Sequence, residues 1–126
     1  MSEELLEKKA KYRTIAAKFS YKIDRFVNVL DKCTIAPNDS LETIVFKKYL
    51  EFGDLVKVTS YINNQGYRIK TSSYKGERKF ITNDIADIID KQHCGVDYEL
   101  VNAIKEMKSI DRMLVKMNAK NLLKVY

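Results

Sequence analysis

The residues from Tyr67 to Ile81 carry the strongest chemical signal in the sequence. Five basic side chains lie in this stretch against one acid, Glu77. Lysine and arginine neutralise phosphates, hydroxyl groups bond to phosphate oxygens, and tyrosine rings stack on unpaired bases. The side chains with this chemistry are Arg68, Lys70, Ser72, Ser73, Tyr74, Lys75, Arg78 and Lys79. We predict that they form a nucleic-acid-binding surface; the alternative is a solvated hairpin whose basic residues protect an edge strand.

The overall composition is consistent with binding an acidic partner, and it contains few residues that could serve in catalysis. The chain of 126 residues has a formal net charge of +6 and a pI of about 9.2, which weakly favours nucleic acid. His93 is the sole histidine, and Cys33 and Cys94 form no CxxC pair. A structural zinc site therefore lacks ligands, and general-base chemistry has few candidates. No phosphate-binding loop or catalytic triad pattern is present. We predict a non-enzymatic protein with no metal and no cofactor.

The same features indicate where the protein acts. No apolar run approaches the roughly 20 residues of a membrane span. Two thiols in a lysine-rich chain without a signal peptide are typical of a reducing compartment. We expect a soluble, cytoplasmic protein that does not bind membranes.

Two long helices with heptad spacing are predicted at the ends of the chain, over residues 1–33 and 97–120. Their apolar side chains recur at intervals of four and three residues, the spacing of a coiled-coil seam. The side chains predicted to pack along them are Tyr12, Phe19, Ile23, Phe26, Leu30, Ile104, Met107, Ile110 and Leu114. The two seams indicate an antiparallel pair within one chain or a homo-oligomer. For the first helix, packing on its own domain alone is the alternative.

The stretch from Leu55 to Asn64 has two interpretations. Leu55, Val58 and Ile62 fall on one helical face, and Gly66 follows where a left-handed helix-ending residue belongs. The abundance of Val, Thr, Tyr and Ile instead favours a strand. Periodicity alone does not decide between them for so short a run. The first interpretation gives a helix-turn-helix with a basic hairpin, and the second gives a three-stranded sheet.

The following residues are easier to assign. Tyr67, Ile69 and Thr71 alternate with basic residues, as in a half-buried strand. A turn near Gly76 lets residues 78–81 pair back with this strand. Residues 82–84, Thr-Asn-Asp, are then predicted to cap a helix with isoleucines on one face.

Residues 44–90, IVFKKYLEFGDLVKVTSYINNQGYRIKTSSYKGERKFITNDIADIID, resemble the recombinase-type DNA-binding domain of the large serine recombinases. The likeness rests on INNQGYRIKT, residues 62–71, and on Phe80-Ile81-Thr82 before the next helix. It implies a helix for Leu55–Asn64 and a winged helix-turn-helix-like centre that binds DNA. The family's catalytic domain and zinc ribbon are absent from this sequence.

One feature of the sequence departs from the resemblance. Asp84, Asp87 and Asp90 are predicted on one exposed face of the helix that approaches DNA in the family, where carboxylates repel phosphates. Their spacing lacks the loop that a calcium site uses. A solvated or partner-facing acidic face is the expected role.

These observations predict a single domain over residues 1–126, mainly α with a small β-hairpin. Coiled-coil-like terminal helices, residues 1–33 and 97–120, bracket a winged helix-turn-helix-like centre with a basic wing, residues 38–95. We expect a small DNA-binding protein, for single- or double-stranded DNA, that forms a homo-oligomer. A regulator or a replication or recombination accessory factor of a phage or mobile element fits this description. The alternative is an inhibitor or adaptor that docks a protein partner through the acidic helix and the apolar seams.

Overall fold

The computed structural model describes residues 2–72, 76–91 and 95–116. Its described elements are α1 (Glu3–Leu30), α2 (Leu41–Phe52), α3 (Leu55–Asn64), β1 (Ile69–Lys70), β2 (Glu77–Arg78), α4 (Thr82–Asp90) and α5 (Tyr98–Lys116). The predicted, mainly helical fold with a small antiparallel hairpin is confirmed. Within the described ranges, no helix has the length and apolar character that crossing a membrane requires.

The turn between α2 and α3 settles the ambiguous stretch as a helix. Gly53 ends α2 with φ of 65°, in the left-handed region that favours glycine. Asp54 then caps α3, because its carboxylate accepts the Val56 N–H at 2.8 Å. Val58 and Ile62, one helical turn apart, are completely buried. Burial of this helical face in the core therefore outweighs the strand preference of the individual residue types.

The hairpin is much smaller than predicted. Only two residues of each strand pair, Ile69 with Arg78 and Lys70 with Glu77. The expected return strand over residues 78–81 is wrong beyond Arg78, because Phe80 turns inward and is buried in the core. Residues 73–75, which connect the strands, lie outside the described residues.

The start of α4 also differs from the prediction. The helix begins at Thr82 with Ile81 as its N-cap, so Thr82 is the first helical residue and not the cap. Instead Asp84 reaches back, and its Oδ2 accepts the Ile81 N–H at 2.8 Å. A carboxylate at the third helical position that accepts a hydrogen bond from the N-cap N–H is one of the two bonds of a capping box.

Two buried clusters lie on opposite sides of α2. The α5 cluster consists of Phe46, Leu50, Val96, Leu100, Ala103, Ile104 and Met107. The α3 cluster consists of Ile44, Val45, Val58, Ile62, Phe80 and Ile85. Because α2 contributes to both, it joins the α2–α3–α4 group of helices, which contact one another pairwise, to α5.

The two long helices run antiparallel, but only half of α1 is packed. Three polar contacts fix the pairing: Lys32 with Glu99 at 2.9 Å, Arg25 with Glu106 at 3.1 Å and Lys22 with Ser109 at 2.7 Å. The half of α1 from Glu3 to Lys18 is exposed along its whole length. The described part of α5 ends at Lys116, so the predicted continuation to residue 120 lies beyond the part that is described.

A part-buried ion pair anchors the loop between α1 and α2. The Lys47 ammonium is 2.7 Å from Asp39 Oδ2 and donates to the Thr34 carbonyl at 2.9 Å. The same Asp39 oxygen accepts the Ala36 N–H at 2.8 Å. These bonds, led by that from Lys47, hold the pKa of Asp39 below its ordinary value.

Candidate nucleic-acid interface

The hairpin is attached to the C-terminal end of α3 by one asparagine. Asn63 Oδ1 accepts the Phe80 N–H at 2.8 Å, and Asn63 Nδ2 donates to the Phe80 carbonyl at 3.0 Å. Gly66, with φ of 91°, lets the chain leave the helix and turn into β1. Phe80 is itself buried in the cluster that contains Val58 and Ile62. Both the backbone and the side chain of Phe80 therefore hold the return arm of the hairpin against α3.

Two of the predicted phosphate contacts, Lys70 and Lys79, have ammonium groups without a bonded partner among the described residues, although Glu77 lies across the hairpin from Lys70. Both lysine side chains are exposed. Ser72 is exposed beside them on the chain. Ammonium groups in this state donate readily to phosphate oxygens.

Arg68 has a structural role in addition to its charge. Its Nη1 donates to the Asn63 carbonyl at 3.0 Å and to the Tyr67 carbonyl at 2.7 Å. It therefore satisfies a carbonyl at the C-terminal end of α3, where basic side chains are favourable. The rest of this exposed guanidinium carries donors for a further partner.

Arg78 is bound to an acid, which changes the prediction for both residues. Its Nη1 and Nη2 donate to the two carboxylate oxygens of Asp84 at 2.8 and 2.9 Å. This bidentate bond, with the Ile81 N–H, lowers the pKa of Asp84. The expectation of three exposed acids on α4 is corrected: the side chain of Asp84 is only 16% exposed, while Asp87 and Asp90 face solvent.

Sequence reasoning did not identify the outer face of α3. Lys57, Ser60 and Asn64 are exposed at positions i, i+3 and i+7, opposite the buried Val58 and Ile62. Lysine, serine and asparagine are residue types that bond to base edges in the major groove. These residues could have been found from the sequence, because they lie on the side of the helix opposite its apolar face. Finding them requires knowing first that the stretch is a helix.

The remaining predicted residues fall into four groups: those outside the described ranges, and the packing residues that are buried, half-buried or exposed. Ser73, Tyr74 and Lys75 lie outside the described residues. In the packing set, Ile104, Met107 and Ile110 are buried, Phe19, Ile23, Phe26 and Leu114 are half-buried, and Tyr12 and Leu30 are exposed. Phe26 contacts the α5 cluster, whereas the Tyr12 side chain is 58% exposed.

Metal and thiol chemistry have little support in the described part of the chain. Among those residues, no three His, Cys, Asp or Glu side chains come together as a metal site would require. Burial raises the pKa of the Cys33 thiol, and a raised pKa disfavours the reactive thiolate form. His93 and Cys94 are not among the described residues. Comparison with family models, curated proteins and solved structures returns no match to this chain.

Proposed function

We propose that the protein is a small DNA-binding protein without enzymatic activity, in which α2 and α3 act as a helix-turn-helix and the hairpin as a basic wing. The observation that carries this proposal is the Asn63 bridge to Phe80. It fixes the hairpin to the end of α3, so that a polar helix face and two unpaired lysines belong to one rigid unit.

In this proposal α3 enters the major groove. A helix of its width fits the groove, and a tight turn containing glycine before it is typical of a helix-turn-helix. Lys57, Ser60 and Asn64 contact base edges, while Lys70 and Lys79 contact phosphates beside the groove. The phosphate contacts set affinity and the base contacts set sequence preference.

The exposed polar face of α3 favours duplex over single-stranded DNA. Binding to single strands relies on aromatic rings that stack on bases. The hairpin region offers Tyr67, which is exposed at the start of the wing, and Tyr74 outside the described residues. Tyr74→Ala separates the two substrates, because loss of stacking weakens single-strand binding more than duplex binding.

The resemblance of residues 44–90 to the recombinase-type DNA-binding domain supports the same assignment. The acidic residues of α4 conflict with this resemblance, but the conflict is smaller than the sequence suggests because Arg78 neutralises the charge of Asp84. On this basis we propose a cytoplasmic regulator or accessory factor of a phage or mobile element. The alternative is an adaptor that docks a protein through Asp87, Asp90 and the terminal helices.

A salt series tests the wing. Lys70→Ala with Lys79→Ala is compared with Lys105→Ala with Lys108→Ala, which removes two exposed lysines from α5. Binding to labelled duplex is measured by fluorescence anisotropy. We expect the wing variant to flatten the slope of log K against log salt by about one unit for each phosphate that is no longer neutralised. The α5 variant should keep the wild-type slope. Equal slopes for both variants on duplex and on single strands would favour the adaptor.

A selection experiment tests α3. Lys57→Ala with Asn64→Ala is applied to a randomised duplex pool beside the wild type. We expect the salt slope to change by no more than about one unit while discrimination falls by about 1–3 kcal/mol at each base contacted. An unchanged selected sequence would show that α3 does not contact the bases.

A further inference from the structure

The polar outer face of α3 contains one apolar side chain. All residues of α3 are described, and among them Val56 is the exposed apolar one, at 62% exposure. Its exposed neighbours on this face are Lys57, Ser60 and Asn64. Ser60 follows Val56 by four residues, so the two side chains lie on the same side of the helix. The face therefore combines hydrogen-bonding groups with a small patch of methyl groups.

Neither core packing nor helix propensity accounts for this valine. Within the described ranges, Val56 belongs neither to the two buried clusters nor to the partly buried residues around them. Valine is also a weaker helix former than alanine, because its branched side chain loses χ1 freedom in a helix. The same stiffness suits a binding contact, since the methyl groups already occupy one rotamer and lose little entropy when a partner covers them.

Bonds at both ends of α3 fix the position of Val56. The Asp54 carboxylate accepts the Val56 N–H at 2.8 Å, and the positive end of the helix dipole offsets the charge of that carboxylate. Asn63, seven residues after Val56 and on the same side of α3, bonds to the backbone of Phe80. The valine and the wing therefore keep a fixed spacing of about 10 Å along the helix axis.

The charges around this face fit a DNA duplex. Lys57 beside the valine and Lys70 and Lys79 on the wing are exposed, and none has a bonded partner among the described residues. Exposed ammonium groups of this kind favour a polyanion. In a helix-turn-helix, the N-terminal residues of the second helix contact base edges in the major groove, and Val56 lies in the first turn of α3.

The chemistry of the major groove then identifies what the valine contacts. Base edges there present hydrogen-bond donors and acceptors, and the C5-methyl group of thymine is their apolar feature. Building on the proposed function, we infer that Val56 packs against the C5-methyl group of a thymine. It thereby makes the protein prefer an A·T pair at one position of its binding site, while its polar neighbours contact other base edges.

A second exposed valine provides the matched control. Val115 is 67% exposed on α5, a helix that the proposed interface does not use. The test variants are Val56→Ser and Val115→Ser, which remove the methyl groups and replace valine by a residue of similar helix propensity. Both variants should keep the wild-type melting temperature, since both positions are exposed.

Selection from a randomised duplex pool locates the position that the valine contacts. We expect wild type and Val115→Ser to select a thymine there. Val56→Ser should lose the preference for thymine at this position and keep the preferences at the others, because Lys57, Ser60 and Asn64 are unchanged.

The decisive measurement replaces the selected thymine by deoxyuridine. Deoxyuridine pairs with adenine and keeps the O4 acceptor, and it lacks only the methyl group. In anisotropy titrations at fixed salt, wild type and Val115→Ser should bind the deoxyuridine duplex about fourfold more weakly, the equivalent of one buried methyl group. Val56→Ser should bind the two duplexes equally, because a variant without the contact gains nothing from the methyl.

The outcomes separate this inference from the function on which it rests. A wild type that binds duplex but is indifferent to the methyl group at every selected thymine would overturn the inference alone. The same holds if Val56→Ser loses as much affinity as wild type on the deoxyuridine duplex, because another residue then contacts the methyl. A wild type without measurable duplex binding would overturn the proposed function and this inference together.

Discussion

Both polar atoms of the Asn63 side chain are bonded to the backbone of Phe80, seventeen residues further along the chain. Asn63→Ala removes both bonds and leaves the Phe80 N–H and carbonyl without these partners. We expect a loss of about 1–3 kcal/mol in the free energy of unfolding, measured in urea.

The neighbouring asparagine is the matched control. Asn64 is exposed and makes no described side-chain bond, so Asn64→Ala should change stability by about 0.5 kcal/mol at most. Equal effects of the two substitutions would contradict the role assigned to Asn63.

The Asp39–Lys47 pair makes stability depend on pH. The folded pKa of Asp39 is below its ordinary value, so the unfolded chain binds this proton first on acidification. The pair's contribution is fully present above the unfolded pKa and is lost as pH falls through the lower folded one. Asp39→Asn should therefore be less stable at neutral pH, with a shallower loss of stability between about pH 5 and 2.

The measurement for this pair is urea unfolding at several pH values. Asp87→Asn is the control, since Asp87 is exposed and unpaired among the described residues. Parallel curves for wild type and Asp39→Asn would show that the pair does not contribute to the acid response.

At the scale of single residues, the sequence did not indicate which charged and polar side chains bond to each other. Arg78 and Lys79 look equivalent as basic residues, yet only Arg78 is held by Asp84. Asn63 belongs to the INNQGY motif, but its partner Phe80 is distant in the chain. Such bonds depend on where the backbone returns, which local residue types do not specify.

At the scale of secondary-structure elements, the hairpin and α4 are joined by the ion pair between Arg78 and Asp84, so the charges of the two elements are coupled. Arg78→Ala would remove a cation and also release the Asp84 carboxylate, leaving a negative charge close to the wing. If the wing contacts phosphates, this variant should weaken duplex binding more than Lys79→Ala does. Arg78→Ala with Asp84→Asn should recover part of the loss, because the released carboxylate is absent.

Anisotropy titrations at one fixed salt concentration distinguish these variants. Asp87→Asn is the control for removing an acid from the exposed side of α4. If Arg78→Ala and Lys79→Ala bind alike and the double variant recovers nothing, the ion pair is not part of the interface.

Element types followed from the sequence more readily than their ends. Leu55, Val58 and Ile62 have the helical spacing that α3 adopts, and Gly53 and Asp54 provide the turn signals. The return strand was overestimated because Phe80 looks like a strand residue in isolation. Its burial in the α3 cluster is a tertiary effect that strand propensity does not contain.

The whole molecule depends on α2, whose side chains fill both clusters, and on the packed half of α1. Phe26→Asp places a charge against the α5 cluster, so we expect a loss of about 2–4 kcal/mol and a lower melting temperature. Tyr12→Asp, on the exposed half of the same helix, should leave the melting curve nearly unchanged. Thermal unfolding at low protein concentration checks both.

Equal melting temperatures for these two variants would mean that α1 packs uniformly. Heptad spacing did predict both terminal helices, because amphipathic period is a local property. It did not show where their packing ends, since Tyr12 and Phe19 share the spacing but have different surroundings. That boundary depends on how far α5 reaches along α1.

The bare half of α1 also has a dynamic consequence. From Glu3 to Lys18 every residue of the helix is exposed, and an isolated helix of about 12–15 residues is only marginally stable in water. Its backbone amides should therefore open by local fraying and exchange with deuterium much faster than those of residues 20–30. Ser2 slows this opening, because its hydroxyl accepts the Leu5 N–H at 3.2 Å. Deuterium uptake along one continuous helix should thus change sharply near Phe19.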